Sequence, residues 1–318
     1  MSAEDFTQVA DPYRRELLAH CYRMLGSFHD AEDLVQETLL RAWRGYDHFD
    51  GRSSVRTWLY RIATNACLSA LKSRQRRILP SDLGEAGGSR EADLTRADGL
   101  PWLEPVPTGA VLERPDDPAA VAALREGTRL ALVAAFQRLP ARQRAVLILV
   151  EVVGLRLAEA AAVLEISTDA ARSLVQRARA TLSIEGPRPD ELSVRADAEI
   201  LDRYLAAFEN ADTEALTALL RDSVEYEMPP IPAWFRGRAE VLDHHVRRVF
   251  GHPRRAVATN ANGYPALASY SRDVEGTFRA HAIHVLEVDG GQVARVVVFL
   301  DPDLFARFGL PEVLEPAS

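Results

Sequence analysis

Seven arginine and lysine side chains fall within residues 51–80, and the same stretch contains no aspartate or glutamate. The whole chain, in contrast, carries a net charge of −8. Arginine and lysine neutralise phosphate groups, and the interleaved Trp58 and Tyr60 could stack on unpaired bases. A solvated helix face is the alternative interpretation, but it does not require the absence of acids. The candidate polyanion-binding side chains here are Arg52, Arg56, Trp58, Arg61, Asn65, Lys72 and Arg76.

A second set of side chains with recognition chemistry lies near residue 175. The segment RLPARQRAVLILVEVVGLRLAEAAAVLEISTDAARSLVQRARATL predicts a helix, a turn at Gly154, a short helix, a second turn and a final helix capped by Ser167 or Thr168. This pattern, within residues 119–185, is typical of a helix-turn-helix whose second helix enters the DNA major groove. Its candidate contact residues are Arg172, Ser173, Gln176, Arg177 and Arg179.

Metal chemistry is not indicated by the cysteines and histidines. Cys21 and Cys67 have no cysteine or histidine neighbour at zinc-finger spacing. His281 and His284 fall in a predicted strand, where odd and even residues face opposite sides. The adjacent pair at 244 and 245 diverges by about 100° on a predicted helix. We therefore expect no metal and no cofactor.

Catalysis in the last third of the chain would have to use a few polar and aromatic side chains. The candidates are Tyr226, Trp234, His244, His245, Asp273, His281 and His284. They show no spacing that suggests an acid–base dyad, so we expect no enzyme. A lone polar residue more often lines a pocket, and a pocket for a small ligand is predicted around Tyr226, Trp234, His245 and His284.

Helices must position the basic stretch. The segment DAEDLVQETLLRAWR, with Asp30 as its expected N-cap, and the basic stretch itself both repeat apolar residues at helical spacing. In the basic stretch Val55, Leu59 and Ile62 belong to the buried stripe, so the cationic side chains lie off it. Residues 8–80 therefore predict an all-α domain, and residues 119–185 predict a second one.

Two further segments complete the chain. Residues 81–118 are acidic and rich in Pro and Gly without apolar periodicity, which predicts a flexible linker. The island LPWLEPVP within it is expected to be extended and able to dock in a groove. Residues 190–318 predict two helices, a strand, a helix and four further strands with a hairpin turn at 289–291. This pattern indicates an α+β domain with a curved antiparallel sheet.

Composition sets limits on the class of protein. A chain of 318 residues with 47% hydrophobic residues predicts two or three folded domains. No apolar run is long enough to cross a bilayer, and the first residues do not resemble a signal peptide. Two isolated cysteines fit a reducing cytoplasm. Net charges of +2 for residues 1–80 and +3 for residues 119–185 surround an acidic connector, which suits two polyanion-binding modules.

The segments AHCYRMLGSFHDAEDLVQETLLRAWR, TWLYRIATNACLSALKSRQRR and the helix-turn-helix quoted above resemble an extracytoplasmic-function sigma factor of bacterial RNA polymerase. The resemblance covers roughly residues 8–185 and implies a region 2, a linker and a region 4. It implies that the basic stretch melts the −10 element and that the last helix reads the −35 element. It also implies that the linker occupies the position of a segment that threads toward the RNA exit channel.

Core polymerase, through its β′ and β subunits, is the partner that this resemblance implies. The helix from residue 30 to residue 44 is similar to the surface that grips the β′ clamp helices. The residues expected on that surface are Asp33, Gln36, Glu37 and Arg41. Promoter DNA is the second implied partner, and no membrane is expected.

Residues 190–318 resemble the SnoaL-like, nuclear-transport-factor-like α+β cone, in element order and in the opening ILDRYLAAFENADTEALTALL. In some relatives such a domain is thought to regulate the sigma module, and elsewhere the fold hosts enzymes, so fold alone does not choose. The expected architecture is multidomain: two all-α domains followed by this cone. Two alternatives stay open: a regulator that binds DNA without polymerase, and an enzyme or ligand-binding SnoaL-like domain fused to a DNA-binding regulator.

Overall fold

The computed structural model describes residues 3–111, 128–183 and 194–314. Contacts divide the chain into two units, one made of residues 1–77 and 109–187 and the other of residues 78–108 and 188–318. The first unit is helical and the second contains the sheet, which confirms the predicted fold class. No helix among the described residues is long and apolar enough to cross a membrane.

The helical unit contains nine helices within the described ranges. The first four are α1 (Ala3–Ala10), α2 (Arg14–Leu25), α3 (Phe28–Gly45) and α4 (Val55–Ala70). The other five are α5 (Thr108–Val111), α6 (Leu130–Gln137), α7 (Ala141–Leu147), α8 (Leu157–Val163) and α9 (Thr168–Ser183). The predicted start of the helix-turn-helix module at residue 119 and its predicted end at residue 185 lie outside the described residues.

The N-cap predicted for α3 is wrong by three residues. Ser27 has an extended backbone, and its hydroxyl accepts a hydrogen bond from the Asp30 amide at 3.1 Å. The Asp30 carboxylate instead pairs with Arg74 at 2.8 Å and Arg77 at 2.7 Å, which ties the residues after α4 to the start of α3. For α9, Ser167 is the cap, because its hydroxyl accepts from the amide three residues later at 3.2 Å.

The two halves of the helical unit meet at the C-terminus of α2. Gln137 donates from Nε2 to the Arg23 carbonyl at 3.1 Å, and Arg144 donates to the Met24 carbonyl. The same guanidinium donates to the carbonyls of Gln137 at 2.9 Å and Leu139 at 3.2 Å. Burial lowers the pKa of Arg144 to about 10. A buried cation is favourable here because the last carbonyls of a helix carry partial negative charge.

The C-terminal unit contains three longer helices, one short helix and one seven-stranded sheet in its described part. Its helices are α10 (Val194–Glu209), α11 (Thr213–Leu219), α12 (Arg238–His244, extended by a π-helical turn to Val249) and α13 (Leu304–Arg307). Its strands are β1 (Leu220–Met228), β2 (Ile231–Arg236), β3 (Arg254–Ala261), β4 (Tyr264–Arg272), β5 (Phe278–Asp289), β6 (Gln292–Phe299) and β7 (Val313–Leu314).

The strand order is β2-β1-β6-β5-β4-β3, with β7 added to β5. The β1–β6 pair is parallel and the other neighbours are antiparallel, so the sheet is mixed and not wholly antiparallel as predicted. All the strands predicted for this domain are present. Strand β2 was not predicted, because prolines surround its sequence. It lies at the edge of the sheet, where a proline within a strand is tolerated.

The core of the C-terminal unit lies on one face of the curved sheet. Tyr204 and Phe208 of α10 and Leu216 of α11 belong to one buried cluster with Leu267 and Leu286 of the sheet. Bulges interrupt the β1–β2, β4–β5 and β5–β6 pairings, and bulges bend strands and strengthen their twist. The sheet and helices together form the predicted cone.

Residues 78–108, here called the strap, belong to the C-terminal unit although they precede the helix-turn-helix in sequence. Backbone hydrogen bonds join Gly87 to the Trp234 carbonyl at 3.0 Å and Ala97 to the Pro230 carbonyl at 2.8 Å. Near the strap's end, the Val106 amide donates to the Asn262 side chain at 3.1 Å. The strap therefore follows the rim of the sheet.

Apolar side chains also hold the strap. Trp102 is 9% exposed and Leu103 and Val106 are fully buried, so the island LPWLEPVP is docked, as its sequence suggested. For residues 81–108 the expectation of a flexible linker does not hold, because these contacts and hydrogen bonds offset the lack of internal periodicity. Residues 112–118 of that predicted linker lie outside the described residues.

Candidate promoter and polymerase interfaces and the C-terminal cone

The basic stretch presents an exposed face with five candidate side chains. Arg61 and Asn65 project from α4, and Arg52 precedes it. Lys72 and Arg76 follow the helix, which ends at Ala70 rather than continuing through the stretch. All five residues are exposed, as contact with a phosphate backbone requires.

Arg56 has a different environment from these five residues. It is half-buried, and its Nη2 lies 2.9 Å from Glu16 and donates to the Val153 carbonyl of the helix-turn-helix half at 3.2 Å. Burial opposes its charge, but the hydrogen bonds that Arg56 donates to Glu16, together with the neighbouring Tyr60, outweigh burial and raise the pKa of Arg56. In this structure Arg56 is thus occupied by protein partners.

The expectation that Trp58 and Tyr60 offer free aromatic faces does not hold. Trp58 is 7% exposed and packs against Tyr46 and Phe49, with ring centroids 5.9 and 5.0 Å apart. Tyr60 is buried and donates to Glu16 at 3.2 Å. The helical period of α4 turns both rings toward the core, so single-strand stacking would need other groups or a rearrangement.

The outer face of α9 carries all five candidate promoter-reading residues in exposed positions. Arg172, Gln176 and Arg179 recur at i, i+4 and i+7, while Ala171 and Ala178 are buried on the opposite side. Arg172 pairs with Asp169 at 2.6 Å, and Arg179 pairs with Glu151. Both pairs are exposed, and exposed pairs cost little to exchange for phosphate or base contacts. Ser173 and Arg177 are exposed beside this row.

The predicted polymerase patch on α3 is present as a surface. Asp33, Gln36 and Arg41 are exposed, and Glu37 is partly exposed and bonded to Arg41 at 2.5 Å. The same face includes two apolar side chains that the sequence analysis did not select. These are Leu40, 44% exposed, and Trp43, 46% exposed. Leu40 and Trp43 fall outside the apolar stripe that α3 buries, and this feature of the sequence could have identified them as surface residues.

The cone holds a buried cluster of histidines and aromatic rings. The ring of Tyr226 lies 5.5 Å from that of His244 and 5.0 Å from that of His245. His284 lies 5.1 Å from Phe208. Burial lowers the pKa of His244 to about 3 and of His245 to about 4, and it also lowers the pKa of His284. Three of the four predicted pocket residues thus lie together, but packed rings fill the space between them.

Trp234 is not part of this cluster. It lies on β2 opposite Glu227, and its indole Nε1 donates to the Gly84 carbonyl of the strap at 2.9 Å. Its neighbour Phe235 faces the core. Asp273 is also remote from the cluster, since it accepts amides of its own turn and pairs with Arg279 at 2.6 Å.

The expectation of strict alternation between His281 and His284 fails because of a bulge. Ser269 pairs with Ala282 and Tyr270 with Ala280, which leaves His281 as the extra residue. Burial is the main cause of the lowered pKa of both histidines, and the charge of Arg254 lowers both values further. His281 also contributes to the lowered pKa of His284. Among the described residues, no group of three or more His, Cys, Asp or Glu side chains is placed to hold a metal ion.

Three family models match the chain. They are Sigma-70 region 2 over residues 9–77, Sigma-70, region 4 over residues 129–182 and the SnoaL-like domain over residues 201–296. Two helical modules, one with an acid-free basic face and one with a helix-turn-helix, define the class of sigma-70-type initiation factors.

Individual relatives span nearly the whole chain. The ECF RNA polymerase sigma factor SigG of Mycobacterium tuberculosis is 47% identical over 98% of this chain and 85% of its own length. SigJ of the same species is 29% identical over 94% of this chain and 93% of its own length. The crystal structure of SigJ matches with a TM-score of 0.62 and 26% identity, covering 98% of this chain and all of that one.

The chain belongs to the ECF RNA polymerase sigma factors, and it carries a C-terminal SnoaL-like domain. As a sigma factor, it acts with core RNA polymerase and promoter DNA in transcription initiation.

The histidine cluster makes the stability of the cone depend on pH. The pKa of His245 falls from 6.5 to about 4 on burial, so the unfolded state binds more protons between these values. Stability is fully present above about pH 6.5 and is lost as the pH falls toward 4. We expect the melting temperature of the C-terminal domain to decrease over this range, and His245→Phe to reduce the decrease.

Calorimetric unfolding of the full chain between pH 7 and pH 4.5 measures this effect. His252→Gln removes an exposed histidine of the same domain and is the matched control. A pH dependence that H245F leaves unchanged would contradict the assignment to the buried cluster.

Proposed function

We propose that the C-terminal domain regulates this sigma factor by holding the strap. The observation that carries the proposal is that the segment joining the two promoter-binding modules is packed into the C-terminal domain. The resemblance to sigma factors implies that this segment enters polymerase. If so, the strap cannot occupy the rim of the sheet and the polymerase channel at once. Docking of the strap and assembly with polymerase therefore compete.

Carboxylates of the C-terminal domain accept hydrogen bonds from the strap and so stabilise its docked position. The Glu227 carboxylate, fully buried, accepts from the Ser81 amide of the strap at 2.9 Å and pairs with Arg295 of β6. On α12, Glu240 accepts from the Ser89 amide at 2.7 Å, and Asp243 accepts from its hydroxyl at 2.7 Å. These bonds are specific but few, so a modest gain of polymerase contacts is sufficient to replace them.

A reversible lock of the strap tests the proposal. Pro107 and Ala261 form an antiparallel bridge pair, so cysteines at these positions have a suitable separation for a disulfide. We expect oxidised P107C/A261C to lose run-off transcription with core enzyme and to regain it on reduction. The pair V257C/A268C joins β3 to β4 without touching the strap and is the control. Equal activity of the oxidised and reduced lock would refute the competition.

We further propose that the α3 patch contacts the β′ clamp helices. Leu40 and Trp43 would supply the apolar centre, and Asp33, Gln36 and the Glu37–Arg41 pair the polar rim. Exposed aromatic side chains beside charged ones are typical of interface anchors. Trp43 is the one aromatic ring among the large apolar side chains exposed in the described residues, and Leu40 lies about one helical turn before it.

Exchanging the charges of the pair tests this patch. E37R/R41E keeps an i,i+4 ion pair on α3, so we expect the helix to stay folded. We expect core binding in a pull-down titration to weaken about tenfold, since the charge pattern facing the partner is inverted. D11R/R14D exchanges another exposed pair of the same unit and is the control. Unchanged core binding by E37R/R41E would show that the patch is only solvated.

Promoter reading is assigned to α9 and melting of the start site to the basic stretch. Arginine pairs with guanine and glutamine with adenine in the major groove, at about 1–3 kcal/mol of discrimination for each contact. We expect R172A and Q176A to change preference at particular −35 positions, and R61A and K72A to weaken single-strand binding with a reduced salt dependence.

Binding to duplexes with single −35 substitutions, measured by fluorescence anisotropy, checks this prediction. Arg203 is an exposed residue of α10 in the C-terminal domain, so R203A removes the same charge elsewhere and is the control. If R172A and Q176A weaken binding to all duplex sequences equally, the two side chains contact only phosphates.

We also propose that the C-terminal domain has no catalytic activity. The histidine and serine of the cone do not form a general-base pair. Ser269 donates its hydroxyl proton to the Ala282 carbonyl at 3.3 Å, so it accepts from His284 Nε2 at 3.0 Å. The imidazole is then the donor and cannot take a proton from that serine.

A further inference from the structure

The second helix of the helix-turn-helix, α9, carries one acid beside its arginines. Asp169 lies in the first turn of α9 and Arg172 in the next, and their side chains are 90% and 57% exposed. A carboxylate repels the phosphates of DNA, so an acid on a helix that enters the groove lowers the affinity for every sequence. An exposed ion pair adds little to stability, so the pair with Arg172 does not offset that loss.

The ion pair occupies one nitrogen of the Arg172 guanidinium and leaves an edge of the group open. Arg172 donates from Nη1 to Asp169 Oδ1 at 2.6 Å. Nε and Nη2 form another edge of the same planar group, and among the described residues no acceptor is bonded to that edge. Two parallel N–H groups match O6 and N7 of guanine. Arg172 can therefore read a base while it keeps its bond to Asp169.

The pair lies where a recognition helix touches base edges. In a helix-turn-helix the N-terminal residues of the second helix make the base contacts. Arg172 is the first arginine of α9, and the Ser167 hydroxyl caps the start of the helix by accepting a hydrogen bond from the Ala170 amide at 3.2 Å. Because Asp169 restrains the long side chain of Arg172 before binding, less conformational entropy is lost when that side chain contacts DNA.

We propose that Asp169 is a positioning residue for promoter recognition, which holds Arg172 so that its Nε–Nη2 edge faces one base pair of the −35 element; this inference rests on the proposed role of α9 in reading that element. Asp169 lowers the affinity for all DNA and strengthens only the contact that Arg172 makes with its own base, so it raises specificity. A carboxylate that only stabilised the positive end of the helix dipole would change stability without changing base preference.

The base preference of the holoenzyme, assembled from core RNA polymerase and the full chain, tests this role. The probes are a duplex that the wild-type holoenzyme enriches from a random-sequence pool and its single substitutions at each −35 base pair. R172A identifies the base pair that Arg172 reads. We expect D169A to reduce the preference at that same base pair by about three- to tenfold, through weaker binding to the preferred duplex. Binding to the duplex substituted at that base pair should become no weaker, because a repulsive charge is removed.

Two further variants separate positioning from helix stability. D169N keeps a neutral carbonyl that can accept from Arg172, so we expect a smaller loss of preference than in D169A. The double variant D169A/R172A should have the preference of R172A alone, because Asp169 acts only through the arginine. Preference is a ratio of two affinities, so a partial loss of folded protein does not change it, and D169N remains informative if D169A folds poorly.

Two carboxylates of the same module serve as matched controls. Glu165 is exposed in the turn before α9, and Glu151 pairs with Arg179, about two turns beyond Arg172. E165Q and E151Q each remove one negative charge and leave the Asp169 pair intact. We expect both variants to keep the wild-type preference at the base pair that Arg172 reads. A loss of this preference in either control would mean that the loss in D169A is a general effect of charge, which overturns the positioning role.

The outcomes distinguish positioning from promoter reading. If R172A changes the preference at one base pair and D169A does not, Asp169 does not position the arginine, while reading by α9 stands. If D169A changes the preference at a different base pair, Asp169 contacts a base itself and the positioning role is overturned. If R172A weakens binding to all duplexes equally, Arg172 reads no base, and its proposed reading and its positioning by Asp169 both fail. Loss of preference at the base pair shared with R172A, absent from both controls, supports the positioning role.

Discussion

The neutralisation of one buried carboxylate organises much of the C-terminal unit. Glu227 has no exposed surface, and an unpaired charge in such a position would be strongly destabilising. Arg295 of the neighbouring strand supplies the counter-charge, and the Ser81 amide supplies a further donor. Burial opposes the charge of Arg295, but Glu227 and the nearby acids outweigh it and raise its pKa. The Glu227 carboxylate is therefore neutralised by the neighbouring strand and also hydrogen-bonded by the strap.

In the helical unit, the buried guanidinium of Arg144 joins separate segments of the chain in a similar way. Arg144 has no carboxylate partner in the described structure, and both of its terminal nitrogens donate to carbonyls, which come from both halves of the unit. Its position at the end of α2 means that separation of the two halves would expose the last turn of that helix. Arg56 makes a similar connection through the Val153 carbonyl. The two promoter-binding modules are therefore held together by a small number of directional bonds.

Local patterns were sufficient to predict most of the longer helices, most strands and the exposed face of α9, because the period of apolar residues is a property of neighbouring residues. The burial of Trp58 and the extra strand β2 could not be predicted in this way, because each depends on a partner distant in sequence. The strap is the clearest example: its own residues lack periodicity, and its order comes from Trp234, Asn262 and Glu227, more than a hundred residues away.

Because the strap is part of the C-terminal unit, this domain cannot be exchanged as a single C-terminal segment. The fold of that unit is built from two separated stretches of chain, with the helix-turn-helix inserted between them. Removal of residues 188–318 would leave Trp102, Leu103 and Val106 as an exposed apolar segment inside the remaining sigma factor. The smallest piece that can be transferred to another sigma factor is consequently the pair of stretches, so insertion and exchange of such domains must alter the linker along with the C-terminus.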